Sequence, residues 1–379
     1  MASIDTVVET TMKVTCGRDE LADKLQLAGR GVSTRTNVQI LAGIMLRASG
    51  GQLHLSATDM EISLRVSLDA QVEDEGAVVV PGRLLVDIVR LLPTGEVTIA
   101  HRAEEGVAEL TCGSASYKLH TYAAEDFPRL PEVDPETAFT VDKEAFVETI
   151  ARVSRSSSRD ESRPVLTGIL VRFEDSKLVM AATDSYRLSV KETALEQGPG
   201  QELEAIVPAR ALAELSRIAQ GGEPGPISIG VQENQIVFGA EDVWLTARRI
   251  DGQFPNVQQL RPESFEVELE LNRAELLDVV RRAAVMAQRN TPLRLRFEEG
   301  ELTISAQSQD VGETRESLAV RYAGEPLEIG FNAEFLREGL ESVTADEVKL
   351  ELINPLRPGL ISADGDSFWY LIMPIRLAG

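Results

Sequence analysis

The chain repeats itself. Residues 181–190 read A-A-T-D-S-Y-R-L-S-V and residues 56–66 read S-A-T-D-M-E-I-S-L-R-V, which places Asp184 125 residues after Asp59. A looser third copy falls near 305–320. Two further landmarks keep nearly the same offset. The segment V-P-x-R recurs with Arg210 127 residues after Arg83, and Phe254-Pro255 follows Phe127-Pro128 by 127. A shared order at a near-constant spacing predicts a duplicated structural unit rather than unrelated α+β domains, which are the plain alternative. With 379 residues the chain accommodates about three such units.

Each unit reads strand, helix, strands, helix, strands. The expected boundaries are a flexible N-terminal extension at 1–11 and domains at 12–131, 137–260 and 261–379, with the Pro- and acid-rich stretch 126–136 as a linker. In the first unit, Leu21, Leu25 and Ala28 mark one helix. The stripe Leu84, Leu85, Ile88, Leu91 and Leu92 marks a second, with Pro81 at its start. Gly50-Gly51 joins two strands. In the second unit, Phe146, Ile150 and Val153 face inward from a helix over 143–154. In the third, Asn332 caps a helix over 333–342.

Charge and motif content exclude several classes. The net charge is −23, which favours solubility and disfavours a simple basic patch for nucleic acid. Cys16 and Cys112 are the only cysteines and read as reduced core thiols of a cytoplasmic protein. No apolar run reaches the roughly 18 residues of a membrane span, and residues 1–11 lack the pattern of a signal peptide. His54, His101 and His120 lie in strand-like stretches without partner motifs, and no metal, phosphate-loop or nucleophile motif occurs. Asp59 and Asp184 carry the chemistry of a general acid or base. Their repetition favours turn aspartates that bind backbone N–H groups. No catalytic residue, cofactor or metal is expected.

The arginines are less scattered than the carboxylates. Arg83 and Arg90 are seven apart on one predicted helix, and Arg210 and Arg217 repeat that spacing, so each pair shares a face with about 10 Å between its members. Others gather near helices: Arg30 and Arg35, then Arg152, Arg155, Arg159 and Arg163, then Arg281, Arg282 and Arg289. Ordinary solvated arginines would explain this pattern. So would a surface that touches phosphates weakly without reading bases.

At this point the residues resemble a known family. The threefold repeat, A-T-D-x-x-R-L at 182–188, the two V-P-x-R segments, D-G-x-F-P at 251–255 and M-P-I-R-L at 373–377 are similar to the bacterial DNA sliding clamp, the beta subunit of the replicative DNA polymerase. The likeness runs over residues 12–377. It implies an α+β fold of three repeated clamp domains, with helices inside, antiparallel sheets outside, and a head-to-tail homodimeric ring. It also implies a non-enzymatic, cytoplasmic processivity factor that encircles double-stranded DNA without sequence preference. Its implied partners are the replicative polymerase, the clamp loader and other clamp-binding-motif proteins, with no membrane. Closure by topology would reconcile an acidic protein with DNA, since little affinity is then needed.

The resemblance also implies residue roles. DNA contacts carry over to Arg35, Arg83, Arg210 and the region of Arg163, joined by Arg90 and Arg217 from the helix spacing. Pro164-Val165 stands where clamps often have aromatic residues. A partner's linear peptide would dock on Leu166, Thr183, Ser185, Tyr186, Arg187, Leu188, Pro255, Gln259, Leu260, Asn332, Leu371, Ile372, Met373, Pro374, Ile375 and Arg376, an apolar groove with polar anchors. Ser185-Tyr186 replaces a common Gly-His, and Gln259 a common basic residue. The ring interface would use Tyr117, Val285 and Met286, of which the last two read equally well as core. The alternatives are a monomeric repeat scaffold that binds peptides but not DNA, and an enzyme with a cryptic carboxylate site.

Overall fold

Strands Gln52–Thr58 and Ile62–Asp69 alternate buried and half-buried residues, the period-two pattern of a sheet packed on one face. Leu53, Leu55, Ala57, Leu64, Val66 and Leu68 form the packed face. Helix Arg18–Ala28 covers it with Leu21, Leu25 and Ala28. Strand Gly43–Ser49 reaches Gln52–Thr58 through Gly50 and Gly51, both at positive φ (58° and 78°). Only glycine adopts two such conformations in succession without strain, which is why this pair closes a two-residue hairpin.

The computed structural model describes residues 11–33, 37–130, 138–196, 198–200, 202–222, 224–287, 291–308 and 312–377. Arg35, Arg289, the expected extension up to residue 10 and most of the expected boundary at 131–137 lie outside these residues. The described chain packs as two compact units. The first comprises the residues up to 143 together with 214–249; the second comprises 144–213 and 250–379.

The first unit holds a five-stranded and an eight-stranded sheet, the second an eight-stranded and a four-stranded sheet. All their pairings are antiparallel. Packing does not follow the repeat. The middle repeat lends strands Phe139–Val141, Ile227–Val231, Gln235–Ala240 and Val243–Arg248 to the first unit's large sheet. It lends Gly168–Glu174, Lys177–Thr183, Arg187–Ala194 and Leu203–Pro208 to the second's. Val243–Arg248 pairs with Ile62–Asp69 of the first repeat, and Arg187–Ala194 pairs with Phe368–Ile372 of the third.

Helices form where the apolar spacing predicts, with instructive differences. Helix Gly82–Leu91 buries Leu85 and Val89, followed by Leu92, the i, i+4, i+7 stripe. Leu84 and Leu91, expected on the core face, are exposed. The expected stripe had merged two adjacent faces of one helix. Asn332 caps helix Ala333–Ser342 as expected, its Oδ1 accepting from the N–H groups of Glu334 (2.9 Å) and Phe335 (3.0 Å). A short helical turn, Pro164–Thr167, precedes strand Gly168–Glu174.

Arg152 departs most from expectation. Grouped by sequence with the arginines that gather near helices, it is buried, as is Thr149 one turn before it. Its Nε donates to the Ser342 carbonyl (2.7 Å), its two terminal nitrogens grip the Asp366 carboxylate, and its guanidinium lies 4.5 Å from the centre of the Phe368 ring. Lys191 also reaches Asp366 (2.8 Å). A buried guanidinium survives only with such compensation. Burial opposes the charge of Asp366, but Arg152 and Lys191 outweigh it and hold the carboxyl below its ordinary range. Asp366→Ala should therefore cost about 3 kcal/mol in urea unfolding at neutral pH, by removing the two-pronged partner of buried Arg152 and leaving it only the exposed carboxylate of Glu148 (3.3 Å). Because the folded carboxyl has the lower pKa, this contribution is complete above about pH 4 and is lost as the pH falls through the folded value. The gap between wild type and variant should narrow in that acid range. A cost below about 1 kcal/mol at neutral pH would refute the role assigned to this pair.

Candidate functional site

The repeated T-D segment is a turn held by its own side chains. In the second unit, Thr183 Oγ1 donates to the Arg187 carbonyl (2.6 Å) and accepts from the Ser185 N–H (3.2 Å). Asp184 Oδ1 accepts from the N–H groups of Tyr186 (2.9 Å) and Arg187 (3.0 Å). The first repeat builds the same turn. There Thr58 bonds the Ile62 carbonyl and the Met60 N–H, and Asp59 accepts from Glu61 and Ile62. Both turns put the residue after the aspartate at positive φ, 75° at Met60 and 79° at Ser185. Side chains with a Cβ occupy that region at a cost. Both carboxylates are thus committed to backbone, as the repetition predicted.

Around the second copy the chain assembles a site. Leu188 pairs with Leu371 and Arg187 with Ile372 across two strands, and the Met373 N–H donates to the Tyr186 carbonyl (2.8 Å). The tail then runs to Gly330, whose carbonyl accepts from the Ile375 N–H (2.7 Å). A Cβ at Gly330 would come 2.5 Å from Leu377, so glycine is required for the tail to lie there. Leu188, Leu371 and Ile372, expected as groove lining, are buried and form its floor rather than its surface. Leu188 and Leu371 share an apolar cluster with Val257, which opens the helical turn Val257–Leu260. Against this floor Tyr186 (62% exposed), Leu260 (50%) and Met373 (42%) remain open to solvent. Pro255, Gln259 and Arg376 are also exposed; Leu166, Pro374 and Ile375 are half-buried.

The polar members behave differently from expectation. Arg187, expected as an anchor for a ligand, is spent internally. It pairs with Asp184 (3.2 Å) and Glu338, bonds the Arg155 carbonyl, and lies 4.2 Å from the centre of the Phe335 ring. Thr183 and the Asn332 amide oxygen are occupied by the turn and the helix cap. Arg163, assigned by resemblance to DNA, instead donates to Ser185 Oγ (3.0 Å) and pairs with Asp160 (3.1 Å), so it joins the rim of this site. Phe335 and Glu338, which position Arg187, were missed. Their signal was the helical i, i+3 spacing that puts both on one face of Ala333–Ser342.

The remaining arginines are less of a unit. Arg83 and Arg90 are exposed on helix Gly82–Leu91, Arg90 with Asp87 at 4.0 Å. Arg210 and Arg217 are exposed on helix Ala209–Gly221. Arg217 pairs with Glu214, which also holds Arg30 (3.3 Å). Arg281 and Arg155 share Glu341, and Arg282 pairs with Glu316. Among the described residues, then, several of these arginines carry a carboxylate beside them, and the positive face is diluted.

Neither thiol is poised as a nucleophile. Burial, helped by Glu20, pushes the Cys16 thiol up to about 12. Cys112 is buried with its Sγ donating to the Pro93 carbonyl (3.3 Å). Among the described residues no group of three or more His, Cys, Asp or Glu side chains is arranged to hold a metal. No described helix is long and apolar enough to cross a membrane.

Solved structures share this fold. The chain superposes on a DNA polymerase sliding clamp from Bacillus subtilis with a TM-score of 0.93 at 27% identity, covering 97% of this chain and all of that one. A sliding clamp from Pseudomonas aeruginosa, solved bound to griselimycin, gives 0.89 at 28% identity over the same shares. The architecture is therefore that of a sliding clamp, built from three clamp domains of helices and antiparallel sheets. The N-terminal, central and C-terminal domain descriptions of the DNA polymerase III beta subunit match residues 12–131, 140–256 and 258–376. Beta sliding clamps of Streptomyces coelicolor and Synechococcus elongatus are each 36% identical, over 97% of this chain and their full lengths. This chain belongs to the DNA polymerase III beta subunit family, the beta sliding clamps, which are non-catalytic processivity factors of DNA replication.

The turn geometry predicts two stabilities. Ser185→Gly should relieve the left-handed backbone and gain about 0.5–1 kcal/mol after the added freedom of the unfolded chain is counted. Asp59→Ala and Asp184→Ala should each lose about 1–2 kcal/mol, by analogy with a lost helix cap. Chemical denaturation of the three variants checks both. A destabilised Ser185→Gly would show that the serine hydroxyl's bond to Arg163 outweighs the strain.

Proposed function

We propose that this clamp closes as a cytoplasmic head-to-tail homodimer around duplex DNA and receives partner peptides at the groove between Tyr186, Leu260 and Met373. The observation that carries the groove is this trio of exposed large apolar side chains over a buried floor: the Met373 N–H bonds the Tyr186 carbonyl, and Leu260 ends the turn that Val257 anchors in the floor. Such a patch on a soluble protein marks an interaction site. Leu166, Pro255, Pro374 and Ile375 complete its apolar wall, with Thr183, Ser185, Arg187, Gln259, Asn332 and Arg376 as polar frame. Leu188, Leu371 and Ile372 support the wall from beneath. The griselimycin-bound relative supports a ligand-binding site on this fold. Tyr186→Ala with Met373→Ala should weaken a polymerase-derived clamp-binding peptide at least tenfold in fluorescence anisotropy. Unchanged affinity would dismiss the groove.

Two unpaired strand edges support ring closure. Ala115–His120 and Gly312–Ala319 each end their sheet, and such edges seek a partner strand. Exposed apolar side chains stand close to both. Tyr117 lies on the first, and Val285, 82% exposed, lies near the end of helix Arg273–Met286 beside the second. Met286 packs partly against the core, so Val285 is the stronger interface residue. Exposed Leu84 and Leu91, unforeseen from sequence, give the first unit further apolar surface. Inside the ring, Arg35, Arg83, Arg90, Arg210 and Arg217 would touch phosphates, with Arg163 belonging to the groove. Sedimentation should find a dimer at micromolar concentration. Loaded protein should remain on circular DNA and leave once the circle is cut. A purely monomeric species would favour a peptide-binding scaffold without DNA.

A further inference from the structure

The hairpin Gln52–Thr58/Ile62–Asp69 has a second face, turned away from helix Arg18–Ala28. Its residues are not the acidic ones that dominate this chain. Arg47 stands directly opposite His54, Ser56 opposite Arg65, and His54 opposite Ser67. Directly opposed residues on one face lie about 5 Å apart at Cβ and diagonal ones about 7–8 Å, so Arg47, His54 and Arg65 converge. The segment through Phe127–Leu130 crosses above them, and Arg65 reaches its Leu130 carbonyl (3.5 Å). Between segment and sheet lies an open cavity of 610 Å³. Its wall carries Arg47, His54, Ser56, Arg65 and Arg129, and Glu125 is the one carboxylate among the described wall residues.

A chain with a net charge of −23 has gathered four basic side chains around one cavity. Arg47 and Arg129 form no ion pair among the described residues. We propose that this cavity binds a phosphate-type oxyanion, either free or carried by a mononucleotide, between the guanidinium groups of Arg47 and Arg65 and the imidazole of His54. The donor set fits. Guanidinium groups present planar forks that match a tetrahedral oxyanion, and a serine hydroxyl adds a neutral donor. His54 Nδ1 lies 2.8 Å from Ser67 Oγ, which fixes the ring and leaves Nε2 for the ligand.

The protonation state of His54 reports occupancy. Burial first, then Arg65 and Arg47, hold its pKa below the ordinary histidine value. Glu125 does not reverse this. An anion seated among these groups would favour the imidazolium and raise the pKa. The chain has three histidines, so His101→Gln and His120→Gln assign the His54 resonance directly.

The experiment titrates His54 by nuclear magnetic resonance in the full-length protein, with inorganic phosphate, adenosine monophosphate or chloride at matched ionic strength. Phosphate should raise the His54 pKa saturably by about one pH unit and leave His101 and His120 in place. Arg47→Ala and Arg65→Lys, each checked for folding by circular dichroism, should reduce the rise. A larger effect of the nucleotide would identify a nucleotide site, and an effect of phosphate alone a free-anion site. An equal rise with chloride would overturn the proposal, as would a common shift of all three histidines or a full rise in the Arg47→Ala protein.

Discussion

The pairing of Arg187–Ala194 with Phe368–Ile372 is the constraint on which the groove depends. It joins strands nearly 180 residues apart in sequence and fixes their register. That register sets Leu188 against Leu371 beneath the surface and delivers Met373 to Tyr186 above it. A slip by one residue would turn each side chain to the opposite face. The tail beyond Ile372 makes the groove only because the strand before it is locked. Arg152 anchors the loop preceding that strand through Asp366, so a buried charge helps decide what the surface presents.

The arrangement also divides labour within the groove. Its exposed members are apolar, and its most polar members face inward. Arg187 shows why. Its guanidinium satisfies Asp184, Glu338 and a backbone carbonyl while lying over Phe335. It braces the turn against helix Ala333–Ser342 rather than waiting for a ligand. Rigid support beneath exposed apolar contacts means that a shallow groove need not order itself before a ligand arrives.

Much of this was legible in the sequence because repetition converts weak motifs into strong ones. One T-D pair says little, whereas two at a fixed offset, each before an apolar strand, identify a side-chain-bonded turn. The cap at Asn332 and the glycine hairpin at Gly50-Gly51 were legible for a different reason, since few residues perform those tasks. Burial of charge was not legible. Arg152 looks like its neighbours Arg155 and Arg159, and beside the local Glu148 it is a carboxylate more than 200 residues away, Asp366, that grips it with both terminal nitrogens. The helix Gly82–Leu91 misled for a different reason. Leucines on two adjacent faces leave the period ambiguous, and tertiary packing alone selects Leu85, Val89 and Leu92. Arg163 was named from resemblance, which carries no side-chain direction, and its side chain turns toward Ser185.

The middle repeat is split between two large sheets, and this separates the unit of ancestry from the unit of folding. Duplication acted on segments of about 125 residues, yet no such segment owns a complete large sheet. Excised at the repeat boundaries, the middle segment would carry two bare strand edges, Val243–Arg248 and Arg187–Ala194, each normally paired to a neighbour. Bare edges of that length are templates for aggregation. Once fused, the three copies became mutually obligate: a cut-and-paste exchange of one repeat between relatives must preserve two strand seams as well as the loops that join them.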